Sequence, residues 1–267
     1  GIAVIARTLM LLALIPWDDG KGDWMRRRRH GSSVSGSDVR VSAVGFSASR
    51  YRIRNPKDLI AKRVQHGVPW EPHLQVAALV ALGRLKRPVA LIDAGANVGT
   101  FSLPLRQNVD YCLLIEADGI AASQLRLNLQ LNAAQNLEVV ECLAGDPTKT
   151  YDLSRVVPNN LGATAWEAVD GVSEAADVAS LDEIVMSRVP ISFSGGMLMK
   201  IDVEGMELDV LHGAGHLLHR YPMVLFVESK PERVPEVSHF LAKYGFKGAR
   251  LRRSDYVFWS AKSFLKN

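Results

Sequence analysis

Four short apolar runs in this chain each stop on an acid: residues 89–93 end at Asp93, 111–116 at Glu116, 197–202 at Asp202 and 223–228 at Glu228. Uninterrupted apolar runs of this length suit strands buried on both faces, as in a parallel sheet covered by helices. The segments between them are helical in pattern. Residues 71–85 carry Leu74, Ala78, Leu82 and Leu85 on one stripe, a helix is expected from Thr100, another covers 120–132, and 207–218 aligns Leu211, Ala214 and Leu218. A third strand is read at 137–143, short strands around 163–169, a helix at 234–244, and closing strands at 246–251 and 256–261. Strands alternating with helices give an α/β fold with helices on both faces of the sheet. Such sheets bind ligands beyond the carboxyl ends of their strands, where these four acids stand.

Charge divides the chain unequally. Residues 1–64 hold 13 basic and 5 acidic side chains, whereas the remainder holds 19 and 23, so the overall net charge of +4 comes from the N-terminal part. Residues 1–16 are apolar but interrupted by Arg7 and Thr8, and fall short of the roughly 20 residues a bilayer crossing needs. They are read either as a helix packing on the domain or as the end of a signal anchor in contact with a membrane. Residues 17–50 form a basic linker or arm that includes Arg26 to Arg29, and residues 51–267 form the catalytic domain. The two cysteines, Cys112 and Cys142, lie in apolar runs and are expected as reduced, buried thiols of a cytoplasmic protein, with membrane association left open through the N-terminal segment.

The turn Asp93-Ala-Gly-Ala-Asn-Val-Gly99 joins a strand to a helix. Its glycines let the backbone bend and approach a ligand, and Asn97 tolerates a left-handed conformation. It lacks the G-x-G-x-x-G spacing of a dinucleotide binder, which argues against a nicotinamide oxidoreductase. A nucleoside without phosphates suits it better. Glu116 follows Gly95 by 21 residues and ends the second strand, where an acid can accept hydrogen bonds from both ribose hydroxyls. Asp93 can meet a cationic amino group, and Asp146 follows the third strand.

The run Leu91-Ile-Asp-Ala-Gly-Ala-Asn-Val-Gly-Thr-Phe-Ser102, the pair Asn128 and Asn132, Ser180-Leu-Asp-Glu183 and Met199-Lys-Ile-Asp-Val-Glu-Gly-Met-Glu207 with Leu211 and Gly213-Ala214 together resemble the FkbM-type class I methyltransferases that use S-adenosylmethionine. The resemblance implies a Rossmann-like class I methyltransferase fold, a mostly parallel seven-stranded sheet with an antiparallel C-terminal strand. It places Asp93, Gly95, Asn97 and Gly99 at the methionine end, Glu116 on the ribose and Asp146 near the adenine. Ala117-Asp118 departs from the proline usual after that glutamate. Trp70-Glu71 matches a recurrent upstream acid, so Glu71 is either a lid over the cofactor or simply an acid favoured at a helix N-terminus.

Methyl transfer to oxygen requires alignment, a dry site and a place for the acceptor's proton. Asp202 and Glu204 beyond the fourth strand are the expected catalytic acids, although Asp202 is also placed as a helix cap. Glu228 is placed to contact the acceptor. A Mg²⁺ ion held by Asp202 and Glu228 is a variant that the carboxylate spacing does not demand. Each lone histidine is read as a partnered polar residue, and Lys200 as a strand residue reaching toward an edge. The acceptor is expected to be a small molecule or saccharide: a hydroxyl of a sugar, glycolipid or secondary metabolite. RNA ribose 2′-O-methylation through the basic arm is a second reading, and non-catalytic adenosylmethionine binding a third.

Overall fold

The apolar runs are unbroken because alternate residues of each strand feed two separate cores. On β3, Leu91 joins the core that holds Leu74, Leu103 and Leu125, while Ala90 and Ile92 join the core of Val185, Leu211 and Leu241. Leu198 and Met199 divide between the same two cores on β10. A fully buried leucine such as Leu91 contributes roughly 1.5–3 kcal/mol through burial.

The computed structural model describes residues 38–42, 46–157, 159–170 and 177–263. In chain order these form β1 (Asp38–Val41), β2 (Ser49–Arg52), α1 (Leu59–Val64), α2 (Pro72–Leu82), β3 (Val89–Ala94), α3 (Ser102–Leu105), β4 (Tyr111–Glu116) and α4 (Gly119–Leu131). There follow β5 (Leu137–Glu141), β6 (Leu143–Ala144), β7 (Thr150–Arg155), β8 (Ala165–Val169), β9 (Val178–Ala179), α5 (Leu181–Met186), β10 (Gly196–Ile201), α6 (Glu207–His212) and α7 (Gly215–Arg220). β11 (Met223–Glu228), α8 (Val234–Ala242), β12 (Phe246–Arg252) and β13 (Asp255–Ser260) complete the described chain. The main sheet has seven strands in the order β12-β13-β11-β10-β3-β4-β5, with β10 at its centre. β13 runs antiparallel to both neighbours, and the other adjacent pairs are parallel. Residues 1–37 lie outside the described residues, so the readings of residues 1–16 and of Arg26 to Arg29 do too. Among the described residues no helix is long and apolar enough to cross a membrane.

Several local differences from the sequence reading have plain causes. The strand read at 137–143 breaks at Cys142 into β5 and β6, and β6 pairs with β9 instead of the main sheet. The helix read at 207–218 divides at Gly213-Ala214 into α6 and α7. The helix expected from Thr100 is only the four-residue α3. Within the segment read as arm, β1 and the start of β2 form an antiparallel pair that docks on α4. Asn132 Oδ1 accepts the Arg50 N–H at 2.8 Å, and Asn128 Oδ1 accepts the Arg52 N–H at 2.9 Å. The two asparagines therefore satisfy backbone groups of an edge that would otherwise need water. Ser180 Oγ caps its own helix by accepting the Glu183 N–H, while the Asp182 carboxylate accepts the His216 and Leu217 N–H groups at the start of α7. Asp118 likewise caps α4 through the Ala121 N–H.

Candidate active site

The exits of β3 and β10 touch. Gly95, at φ 82°, is required there because a Cβ would stand 1.8 Å from the Asp202 carbonyl oxygen. Gly99, at φ 85°, admits the Leu125 side chain, whose Cδ1 would be 2.7 Å from a Cβ. Between them Asn97 takes φ 50° and donates its backbone N–H to Glu116 Oε2 at 2.7 Å. Glu116 Oε1 accepts the Asp118 N–H at 2.8 Å. Burial pushes the Glu116 carboxyl up to about 7, despite the two backbone donors that favour its charged form. Above this turn lies a cavity of about 260 Å³. The buried Asn97 Oδ1 and Thr164 Oγ1 both belong to residues lining it and have no hydrogen-bond partner.

The floor carries most of the charge. Lys200 lies on central strand β10, opposite Asp93 on β3 and Phe226 on β11. It is 5% exposed, its Nζ donates to Asp202 Oδ2 at 2.6 Å, and it stands 5.7 Å from the Phe101 ring centroid. Burial disfavours its charge, but Asp202, Asp93 and Glu71 outweigh that and push its pKa up, so it stays a cation. Asp93 is fully buried, and its Oδ2 accepts from Ser102 Oγ at 2.5 Å. Glu228 is paired in register with Asp255 of β13 and accepts from Ser254 Oγ at 2.9 Å. His73 Nε2 meets Asp255 Oδ2 at 2.6 Å. Glu71 precedes α2 in a left-handed conformation, φ 44°, with Pro72 next to it and no side-chain bond to the helix end. One carboxylate oxygen each from Glu71, Glu228 and Asp255 lies within 4.8 Å of the others, close enough for a divalent cation to bridge. Burial, reinforced by neighbouring acids, pushes Glu228 up to about 7 and Glu71 well above the usual carboxylate range.

Of the residues singled out from the sequence, Glu71, Gly95, Asn97, Glu116, Asp202, Glu204 and Glu228 line this one cavity. Asp93, Gly99 and Asp146 do not. Asp93 lies beneath the turn because its strand position faces the α2 and α3 layer. Asp146 turns back on its own loop to accept from Thr148 N and Oγ1, and that pairing holds its carboxyl below the usual range. Asp202 and Glu204, the expected catalytic acids, are each ion-paired, Asp202 with Lys200 at 2.6 Å and Glu204 with Arg155 at 2.8 Å. As a metal-ligating partner, Glu228 joins Glu71 and Asp255, not Asp202. Lys200 does not reach toward an edge, since β10 is the central strand. The sequence did carry its signal: a lysine inside a doubly buried strand needs acids around it. Asp255 had none, because only antiparallel pairing brings it beside Glu228. Cys142 lies in the cavity wall rather than within a strand, and burial pushes its thiol up to about 11.

Residues 93–247 match the family model of the methyltransferase FkbM domain. The chain belongs to this family. The matched span runs from the acid of the glycine turn to the start of β12, so the FkbM domain includes most of the cavity walls. Solved structures with a similar fold include the methyltransferase FkbM of Methylobacillus flagellatus, at 16% identity and TM-score 0.46, covering 69% of this chain and 54% of that one. The precorrin-6y methyltransferase of Geobacter metallireducens has 13% identity and TM-score 0.41, covering 70% and 87%. M. jannaschii TYW2 in complex with AdoMet has 11% identity and TM-score 0.43, covering 85% of each chain. The chain thus spans about half the length of the Methylobacillus protein. No curated protein sequence matches this chain. The mostly parallel seven-stranded sheet with its antiparallel β13 is the Rossmann-like class I methyltransferase fold.

Proposed function

We propose that this FkbM domain binds S-adenosylmethionine above the glycine turn and transfers its methyl group to an acceptor hydroxyl of a sugar, glycolipid or secondary metabolite. The observation that carries the reading is the pair of unpartnered buried oxygens, Asn97 Oδ1 and Thr164 Oγ1, on residues lining a cavity that the Glu116 side chain, bonded to the Asn97 N–H, lines as well. A nucleoside bearing an amino group and ribose hydroxyls supplies the donors these oxygens lack, so the residues fit it. Each Glu116 oxygen accepts one backbone N–H and keeps a lone pair for a ribose hydroxyl. The acids around Lys200 give the floor a negative balance that suits a cationic sulfur. When bound, adenosylmethionine would supply an activated methyl group on a cationic sulfur, with the neutral thioether as leaving group.

The chain's own task is then to align the two reactants, exclude water and accept one proton. We assign the proton to the Glu228 carboxylate, whose pKa near 7 leaves a substantial fraction ionised yet basic at neutral pH. Asp202, bonded to Lys200, is a positioning residue: it fixes the β10 exit against Gly95. Glu204 is held by Arg155 and shapes the rim. The RNA reading rests on arginines outside the described residues, so no observed contact favours it. The test is label transfer from methyl-labelled adenosylmethionine to fractionated polysaccharides, lipids and RNA. Label on saccharide or lipid hydroxyls is expected. Label confined to RNA would replace the acceptor assignment, and tight binding without transfer to any fraction would remove the enzymatic one.

A further inference from the structure

A second cavity, of about 580 Å³, opens beside the first and shares Trp166 and Glu204 with it. Its walls come from the β7–β8 hairpin, the turn after β10, the start of α6 and the loop after β11. Two of its cations are already matched: Lys149 pairs with Asp209 at 2.5 Å and Arg155 with Glu204 at 2.8 Å. Lys230 and Arg233 form no ion pair among the described residues, and Arg233 donates only to the Gly205 carbonyl. Among the described residues Glu167 is the one acid of these walls without an ion pair, so two unpaired cations stand against one unpaired acid. Half-buried Trp166 stands where the two cavities meet. Glu228 of the first cavity and Lys230 of the second are two residues apart in the chain, so their Cα atoms are at most ~7 Å apart.

We propose that the second cavity receives the methyl acceptor, and that this acceptor is an anionic saccharide: a hydroxylated ring lying on Trp166 with a phosphate or carboxylate group at Lys230 and Arg233. The inference rests on the methyl-transfer reading of the first cavity and adds to it the chemical class of the acceptor. An aromatic face supplies area to the apolar side of a sugar ring, and lysine and arginine side chains outside any ion pair are natural partners of a compact anion. The closed Arg155–Glu204 pair presents polar edges for hydroxyls without adding net charge.

The test uses the purified chain, titrated with glucose, glucose 1-phosphate, glucuronate and inorganic phosphate, each with and without adenosylmethionine and followed by ligand-observed NMR. The two anionic sugars are expected to bind about tenfold more tightly than glucose, the effect of one charged hydrogen bond. The stronger of the two identifies the anion. Lys230→Glu, at an exposed position, should abolish that preference while leaving adenosylmethionine affinity within about twofold. Trp166→Ala should weaken the sugars but not inorganic phosphate. Equal binding of neutral and anionic sugars, a preference that persists in Lys230→Glu, or no binding of either anionic sugar would overturn the proposal. Inorganic phosphate binding as tightly as the sugar phosphate would overturn its saccharide half. If the anionic sugars bind as expected but adenosylmethionine does not, the methyl-transfer reading fails and the second cavity stands as a sugar-acid site.

Discussion

Lys200 occupies a strand position where Met199 and Ile201 on either side are fully buried, and its charge is what allows Asp93 and Asp202 to face inward. Replacing it with methionine leaves both acids without their cation, at an expected cost of about 3–5 kcal/mol near pH 8. The loss should be smaller at pH 5, because burial already pushes the Asp93 carboxyl up and eases its protonation; urea unfolding at the two pH values reads the difference. The wild-type chain has its own pH dependence. Glu71, Glu116 and Glu228 all have pKa values raised by burial. Stability gained by keeping them protonated is complete below the ordinary value of 4.5 and is lost as pH rises through their folded values. The unfolding free energy should therefore fall between pH 5 and 8, and Glu228→Gln should flatten that fall. With Glu228 in its proposed role as proton acceptor, turnover moves the opposite way: kcat should rise as pH passes about 7. In Glu228→Gln kcat should drop by about 10²–10⁴ and lose that rise. A pH profile unchanged by the substitution removes Glu228 as proton acceptor.

At the scale of elements, two contacts decide whether the cavity exists. The Gly95 backbone meets that of Asp202, so Gly95→Ala forces a Cβ onto a carbonyl oxygen at a positive φ. It should cost at least ~2 kcal/mol and abolish cofactor binding together with stability, as thermal melts and titration would show. Asn128 and Asn132 hold β2 against α4. Replacing both with alanine should speed hydrogen exchange at the Arg50 and Arg52 amides while leaving Leu91 in β3 protected. The strands read at 111–116 and 223–228 match β4 and β11 because burial on both faces gives an unbroken apolar run that a terminal acid closes. β7 escaped because only Tyr151 of its six residues is buried, so Thr-Tyr-Asp-Leu-Ser-Arg has no period to detect. The acids of the site were legible as strand ends. Which of them face the cavity was not, since that depends on side-chain alternation along the strand for Asp93 and on a local turn for Asp146. Asp255 enters through sheet order, a property of pairing and not of any one segment.

For the whole molecule, the first cavity lies over the carboxyl ends of β3, β4, β10 and β11 and the second adjoins it at Trp166 and Glu204, with the cofactor proposed in the first and the acceptor in the second. Ligand binding there should be visible as stability. At a hundred times its dissociation constant, adenosylmethionine should add about 2.7 kcal/mol to the folded state, a rise in Tm of roughly 5–10 °C for a domain of this size. The second cavity should respond to salt and the first should not, because only the Lys230 end depends on a charge exposed to solvent. The proposed role of the cavity above the glycine turn is tested most directly by calorimetric titration of adenosylmethionine into the wild-type chain and into Glu116→Ala. The structure predicts one site per chain in the wild type and a dissociation constant about 10- to 100-fold higher in the variant, corresponding to roughly 1–3 kcal/mol for a lost charged hydrogen bond. No binding by the wild type, or equal affinity in both proteins, would contradict it.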